Sequence, residues 1–142
     1  MIVEQASALL DKDLPLISNL ANIAALLYRY KKVSWAGFYL AGDEYLYLGP
    51  FQGEVACMKI YYGKGVVGRC YKERKAIIVD NVHEDKDHIA CDSKTNSEMV
   101  VPIFKDGEVI ALIDLDSYEY NIFDEEDKIK VSQIASILEK LF

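Results

Sequence analysis

The sequence predicts an α+β fold in which one mostly antiparallel β-sheet is covered by helices from both ends of the chain. Apolar residues recur at helical spacing near the N-terminus and again near the C-terminus. Between these segments the spacing changes to a period of two, which is typical of strands. Asp106-Gly107, between two apolar runs, indicates a tight hairpin. A chain of 142 residues, 51% of them hydrophobic, is expected to form one domain over residues 1–142.

Two helices are predicted near the N-terminus, over residues 2–10 and 14–30, with a break at residues 11–13. Pro15 suits the first turn of the second helix, and Asp13 is expected to cap it. The second helix carries an apolar stripe that should face a core, formed by Leu16, Leu20, Ile23, Ala24 and Leu27.

Three strands are predicted next, over residues 34–40, 45–48 and 55–60, and the first two form a hairpin. Side chains alternate between the two faces of a strand, so Trp35 and Tyr39 share one face. The two rings either wall a common pocket or are ordinary core aromatics. Periodicity alone favours the core.

Residues 63–68 are predicted to form a tight turn that opens a helix continuing through Glu73. The glycines of this turn match neither the dinucleotide-binding fingerprint nor the P-loop spacing. A short strand over residues 76–79 is followed by a long polar stretch over residues 80–97. Because long loops in compact domains are usually functional or disordered, and this one holds two histidines and a cysteine, we interpret it as functional.

Residues 98–104 and 109–116 are predicted to pair as a hairpin around residues 105–108. The last helix is predicted over residues 123–142, with a cluster of acids at the positive end of its dipole. Its buried stripe is expected to contain Ile129, Ile134, Ile137, Leu138 and Leu141.

The composition argues against several classes of function. A net charge of −7 and scattered basic residues disfavour nucleic-acid binding. No apolar run approaches the roughly 20 residues of a membrane span, so no membrane role is expected. The N-terminus lacks the features of a signal peptide, which favours the cytoplasm. Three cysteines in a chain without an export signal argue against a structural disulfide framework. Their spacing does not match a zinc site, so no metal is expected. No other cofactor is expected either.

Cys91 lies in a polar loop, within the stretch His88-Ile89-Ala90-Cys91-Asp92. Thiols that only pack are usually buried among apolar residues, so this position favours a redox nucleophile. Only the thiolate attacks; nearby carboxylates disfavour it, whereas a bound cation, a protonated acid or His88 would offset them. Cys57 would resolve a sulfenic acid on Cys91 as a disulfide if their Cα atoms lay within about 7 Å, a distance that the sequence leaves open.

Three acids are candidates for a binding site. Glu98 begins one predicted strand, and Asp114 and Asp116 lie near the end of its hairpin partner. A period of two puts both aspartates on one face and Ile113 and Leu115 on the other. Neighbouring aspartates repel unless one is protonated or a cation lies between them. The pattern fits a solvated strand end and a cluster that binds an ammonium group about equally well.

Several motifs match one protein family in the same order along the chain. They are Trp35-Ala36-Gly37-Phe38-Tyr39, Leu48-Gly49-Pro50-Phe51-Gln52-Gly53, Ala56-Cys57, Gly63-Lys64-Gly65-Val66, Asp80-Asn81-Val82-His83, His88-Ile89-Ala90-Cys91-Asp92, Asn96-Ser97-Glu98 and Asp114-Leu115-Asp116-Ser117. From residue 34 to the C-terminus the chain therefore resembles the GAF-domain free methionine-(R)-sulfoxide reductases. The resemblance implies a single GAF-like catalytic domain.

The resemblance also implies roles for the cysteines. Cys91 matches the cysteine that attacks the sulfur of free methionine-(R)-sulfoxide, releasing methionine and leaving a sulfenic acid. Cys57 matches the cysteine that resolves this acid as a disulfide, which thioredoxin then reduces. Many members have a third cysteine where this chain has Val67, and we interpret Cys70 as a small buried residue. A homodimer is implied as well, and the amphipathic terminal helices are consistent with it.

The same resemblance assigns the substrate pocket. Glu98, Asp114 and Asp116 match carboxylates that hold the amino group and the sulfoxide oxygen. Trp35 and Tyr39 match the aromatic pocket around the methyl group and side chain. Because the sulfoxide oxygen must be protonated to leave, we hypothesise that Glu98 supplies or relays that proton. The alternative is a non-catalytic GAF module that binds a small molecule or senses oxidants through its cysteines.

Overall fold

The computed structural model of the chain describes residues 1–86, 88–89 and 91–142. The elements of this part follow in the order α1 (Ile2–Leu9), α2 (Leu16–Tyr28), β1 (Val33–Ala41), β2 (Tyr45–Gln52), β3 (Lys59–Tyr61), α3 (Gly65–Glu73), β4 (Ile77–Val79), a 3₁₀ helix (Val82–Glu84), β5 (Ser97–Lys105), β6 (Glu108–Ser117) and α4 (Glu125–Glu139). Each of these helices is too short or too polar to cross a membrane.

The strands form one sheet in the order β3-β2-β1-β6-β5-β4, and every neighbouring pair is antiparallel. The predicted α+β class is therefore confirmed. The hairpin between β5 and β6 turns at Asp106 and Gly107, whose φ angles are both positive, at 52° and 81°. This is the backbone that Asp-Gly favours in two-residue turns, because it matches the twist of the strands.

Helices α1, α2 and α4 pack on one face of the sheet and form the larger core with it. The apolar stripe predicted on α2 is confirmed, since Leu20, Ile23 and Leu27 are fully buried. The opposite face packs against α3 and forms a smaller core that includes Trp35 and Tyr39. The long central strands thus present one face to three helices and the other to α3 and the loops around it.

Strand alternation sorts the side chains of β6 between these two faces. Ile113 and Leu115 enter the larger core, whereas Asp114 and Asp116 face the α3 side. Pairing between β5 and β6 sets Glu98 directly opposite Asp116. The prediction that both aspartates share a face is confirmed.

The predicted start of α2 is wrong. Pro15 is the N-cap residue, and no side chain caps the helix there, so Asp13 does not take that role. The preceding turn is instead held by Asn19, whose side chain accepts a bond from the Asp11 N–H at 2.8 Å and donates to the Asp11 carbonyl at 2.9 Å. The Asn19 amide therefore satisfies backbone groups of the turn before α2, and it does not replace the missing side-chain cap of the helix.

Four other expectations are corrected. The strand predicted over residues 55–60 is shortened to β3, because the chain leaves the sheet before it, where Cys57 is bonded elsewhere. Ile129 is 56% exposed and not part of the buried stripe of α4, and that helix ends at Glu139. The predicted loop over residues 80–97 contains the 3₁₀ helix, while its residues 87 and 90 lie outside the described residues.

Candidate active site

The structure joins Cys57 and Cys91 by a disulfide, with their Cα atoms 5.6 Å apart. Cys57 lies on the connection between β2 and β3, and Cys91 lies on the connection between the 3₁₀ helix and β5. The Cα separation is within the usual range of about 4.4–6.8 Å for a disulfide. The pairing implied by the family resemblance is therefore present, between cysteines 34 residues apart in the chain.

A pocket lies beside this disulfide, on the α3 face of the sheet. It is lined by Cys91 together with the predicted substrate-binding residues Trp35, Tyr39, Glu98, Asp114 and Asp116. His88 lines it as well, whereas the sequence indicated no role for several other lining residues, among them Val55, Ala56, Ile60, Gly65, Val66, Ile89 and Thr95. The fold thus brings the predicted site residues to one cavity, and Cys57 joins them through its bond to Cys91.

Two stacked aromatic rings form one wall of the pocket. The ring centroids of Trp35 and Tyr39 lie 6.1 Å apart, and the ring of Phe51 also stacks on Trp35, at 5.2 Å. The Trp35 indole N–H donates to the Glu54 carbonyl at 2.9 Å, and the Tyr39 hydroxyl donates to the Cys57 carbonyl at 2.9 Å. Both polar groups are therefore satisfied by backbone, and the rings present apolar surface to the cavity.

Three carboxyl groups form the acid cluster of the pocket. Glu98, Asp114 and Asp116 each contribute an oxygen atom to a group whose members lie within 4.8 Å of one another. Glu98 and Asp114 are only 6% and 5% exposed. Among the described residues, one buried oxygen of Asp114 and one of Asp116 have no hydrogen-bond partner. Two residues that line the cavity therefore carry an oxygen with unused bonding capacity.

Burial raises the pKa of Glu98, Asp114 and Asp116 well above the ordinary values of these groups. In each case the charge of a neighbouring member raises the pKa further: Asp114 acts on Glu98, Asp116 on Asp114, and Glu98 on Asp116. Three carboxylates this close cannot all be ionised without a cation between them. The cluster therefore holds a proton near neutral pH, and it can either donate that proton or exchange it for a bound cation.

His88 lies at the edge of this cluster. Its Nε2 atom is 3.7 Å from a carboxyl oxygen of Glu98, and its side chain is 13% exposed. Burial lowers the pKa of His88, although the charge of Asp85 opposes that shift. The imidazole is therefore mostly neutral at pH 7 and supplies no permanent positive charge to stabilise a Cys91 thiolate.

Within the described part of the chain, the side-chain oxygens of the acid cluster lie close enough together to hold a metal ion. Carboxylate oxygens are the ligands preferred by hard cations such as Mg²⁺ and Ca²⁺. The same oxygens can accept hydrogen bonds from an ammonium group, which carries three donors. The arrangement fits a positively charged group, and the adjacent aromatic wall favours an organic one.

Two side-chain contacts stabilise the loop that bears Cys91. Arg69 on α3 binds both carboxyl oxygens of Asp85 through its two terminal nitrogens, at 2.7 and 2.8 Å. Near the other end of the loop, the Tyr118 hydroxyl donates to an Asp92 oxygen at 3.0 Å. A bidentate guanidinium–carboxylate pair fixes orientation as well as distance. These contacts fix the positions of Asp85 and Asp92, which lie on either side of Cys91 in the chain.

Arg69→Met is expected to loosen this loop, because it removes the bidentate pair with Asp85 while keeping most of the side-chain volume. We expect the free energy of unfolding to fall by about 1–3 kcal/mol, less than for a fully buried pair since Arg69 is 23% exposed. Urea denaturation measures the change. The matched control is Lys130→Met, which removes an exposed i,i+4 pair with Glu126 and should leave the midpoint of urea denaturation almost unchanged. Equal effects of the two variants would contradict this role.

Cys70 is a free cysteine and is fully buried on α3. Its sulfur lies 3.2 Å from the Lys75 carbonyl oxygen and 3.7 Å from the Val100 carbonyl oxygen. Burial raises the pKa of the Cys70 thiol, so it stays protonated and poorly nucleophilic. The interpretation of Cys70 as a small buried residue is confirmed.

An antiparallel sheet with a cysteine pair beside an acidic and aromatic pocket defines a GAF domain equipped for thiol redox chemistry. The family model described as "GAF domain" matches residues 22–139. A protein of Escherichia coli named free methionine-R-sulfoxide reductase is 40% identical over 136 residues, covering 95% of this chain and 82% of its own. The Saccharomyces cerevisiae protein of that name is 40% identical over 139 residues, covering 92% and 77%.

A solved structure agrees with these relatives. The free methionine-R-sulfoxide reductase of Neisseria meningitidis, determined in complex with its substrate, superposes with a TM-score of 0.94 at 39% identity, covering 99% of this chain and 86% of that one. The chain belongs to the GAF-domain family of free methionine-(R)-sulfoxide reductases.

Proposed function

We propose that this protein reduces free L-methionine-(R)-sulfoxide to L-methionine through its Cys57–Cys91 pair, as a single catalytic domain over residues 1–142. The observation that carries the proposal is the disulfide beside a pocket with a buried acid cluster. Such a pocket offers a nucleophilic sulfur, a proton source and an ammonium site within one cavity. The proposed reaction ends with the enzyme in this disulfide form.

The reaction begins with the reduced cysteines. The Cys91 thiolate attacks the sulfoxide sulfur while the oxygen is protonated, and the oxygen is transferred to Cys91 as methionine leaves. Cys91 is then a sulfenic acid, and methionine sulfur has been reduced by two electrons. The Cys57 thiol attacks this sulfenic acid, forming the disulfide and releasing water. Two thiols of an external reductant restore the starting state.

The pocket residues take separate parts in this scheme. The ammonium of the free amino acid binds at Asp114 and Asp116, and Glu98 supplies or relays the proton to the sulfoxide oxygen. The raised pKa of Glu98 supports this assignment, because a protonated acid is needed near neutral pH. Trp35 and Tyr39 enclose the methyl group and side chain with apolar surface.

The reductant that we propose is thioredoxin, because a protein dithiol reduces an intramolecular disulfide by two successive exchanges. Thioredoxins keep cytosolic thiols reduced, so we also place the reaction in the cytoplasm. We propose a homodimer, supported by exposed apolar side chains on α2 and α4, where Ile17 is 66% and Ile129 is 56% exposed.

Purified protein with dithiothreitol is expected to convert the R epimer of free methionine sulfoxide to methionine, with little or no conversion of the S epimer. N-acetylmethionine sulfoxide should be a poor substrate, because it lacks the ammonium that the acid cluster binds. Chromatography of the products measures all three reactions, and a parallel reaction with thioredoxin, its reductase and NADPH tests the reductant. Failure to convert the R epimer would contradict the proposal and favour a sensing module.

A further inference from the structure

Thr95 lies in the loop between Cys91 and β5 and lines the same pocket as the acid cluster. Its side chain is almost fully buried, at 4% exposure. The backbone N–H donates to the Asp92 carbonyl at 3.2 Å, but the hydroxyl has no hydrogen-bond partner among the described residues. A buried hydroxyl without a partner destabilises the folded state, so such groups are rare unless a ligand satisfies them.

The other polar groups of the pocket show which hydrogen-bond donors remain available to a bound ligand. The indole of Trp35 and the hydroxyl of Tyr39 already donate to backbone carbonyls. The carboxylates of the acid cluster, once ionised, only accept hydrogen bonds. In the described part of the lining, Thr95 therefore offers the one hydroxyl donor that is not already engaged within the protein.

The proposed substrate has three polar groups, and two of them are assigned above. The ammonium is held by the aspartates, and the sulfoxide oxygen receives its proton from the acid cluster. The α-carboxylate lacks a partner in that scheme. An anion buried close to other carboxylates requires hydrogen-bond donors to replace the water that it loses.

We propose that the Thr95 hydroxyl donates a hydrogen bond to the α-carboxylate of the bound amino acid. This inference rests on the proposed function and deepens it, because it names the residue that recognises the acid end of the substrate. The aspartates then recognise the amino end, and Thr95 makes the enzyme selective for an amino acid whose carboxylate is free.

Thr95→Val tests this directly, because it replaces the hydroxyl by a methyl group of similar volume. With (R)-methionine sulfoxide we expect the KM to rise about 10- to 100-fold and kcat to change by less than about threefold. The R enantiomer of 3-(methylsulfinyl)propan-1-amine is the same molecule without its carboxylate. Its kcat/KM should be low in the unmodified protein and should change by less than about threefold in the variant. Thr95→Ser keeps the hydroxyl and should retain most of the activity.

Thermal unfolding in the absence of substrate separates this role from a structural one. Because the hydroxyl has no partner within residues 1–86, 88–89 and 91–142 of the free protein, Thr95→Val should unfold at the same temperature or higher. A lower unfolding temperature, or a variant that fails to fold, would overturn the inference, since the hydroxyl would then be supporting the loop. Equal losses on both compounds, or a loss confined to kcat, would also overturn it. Failure of the unmodified protein to reduce methionine sulfoxide would instead contradict the proposed function.

Discussion

Replacing Cys91 with serine is expected to abolish sulfoxide reduction, lowering the dithiothreitol-driven rate by at least about 1,000-fold. A serine hydroxyl is not ionised near neutral pH and cannot accept oxygen as a thiolate does. Methionine formation measures the loss. The matched control is Cys70→Ser, which should keep most of the activity because Cys70 is buried in the core under α3 and contacts only backbone carbonyls among the polar groups described. Equal losses in the two variants would contradict the assignment of Cys91.

The partner of Cys91 is identified by the product of a single turnover. In the reduced protein without added thiol, one equivalent of sulfoxide should yield a peptide pair joined through Cys57 and Cys91, because these residues are bonded in the structure. Cys57→Ser should still release one equivalent of methionine and should leave a sulfenic acid that a dimedone reagent traps. A Cys70–Cys91 link would make Cys70 the resolving cysteine.

Glu98→Gln is expected to lower kcat by about 100- to 10,000-fold and to make the free protein more stable at neutral pH. The amide cannot donate a proton as an acid does, which accounts for the loss of rate. The gain in stability follows from burial, because the variant no longer holds a buried group that resists ionisation next to Asp114. Initial rates and urea denaturation at pH 7 measure the two effects.

The sign of the pH dependence follows from linkage. Burial raises the pKa of Glu98 above the ordinary value of 4.5, so between 4.5 and the folded value the native state binds more protons than the unfolded chain. The contribution of Glu98 to the free energy of unfolding therefore falls as pH rises above about 4.5, and Glu98→Gln removes this contribution. Glu108→Gln, at an 83% exposed position on β6, is the control and should follow the unmodified protein. Identical pH profiles for Glu98→Gln and the unmodified protein would contradict the raised pKa.

Much of the site follows from the alternation of side chains along strands. A period of two places Asp114 and Asp116 on the face opposite Ile113 and Leu115, and it places Trp35 and Tyr39 together, as the structure shows. Local patterns of this kind depend only on backbone geometry, so they can be predicted from the sequence. The Asp-Gly hairpin is predictable for the same reason.

Other features depend on contacts between distant segments. The distance between Cys57 and Cys91 is set by two loops whose paths no periodicity describes, and only the family resemblance indicated their pairing. The exposure of Ile129 depends on how α4 lies on the sheet. Thr95 had no signal beyond being a polar residue in a polar loop, because its burial comes from elements packed around it. The sequence therefore predicts faces of elements better than it predicts the contacts between loops.

The bond between Cys57 and Cys91 closes a chain segment of 34 residues. In the chain-entropy model, a cross-link over a segment of this length stabilises the folded state by about 4 kcal/mol. The proposed reaction makes this bond once in every turnover, and the reductant breaks it again. The free energy of unfolding therefore changes during every catalytic cycle, and the oxidised form is the more stable one. Under conditions that oxidise methionine and exhaust thiol reductants, the enzyme would thus accumulate in its disulfide form, which best resists unfolding and proteolysis.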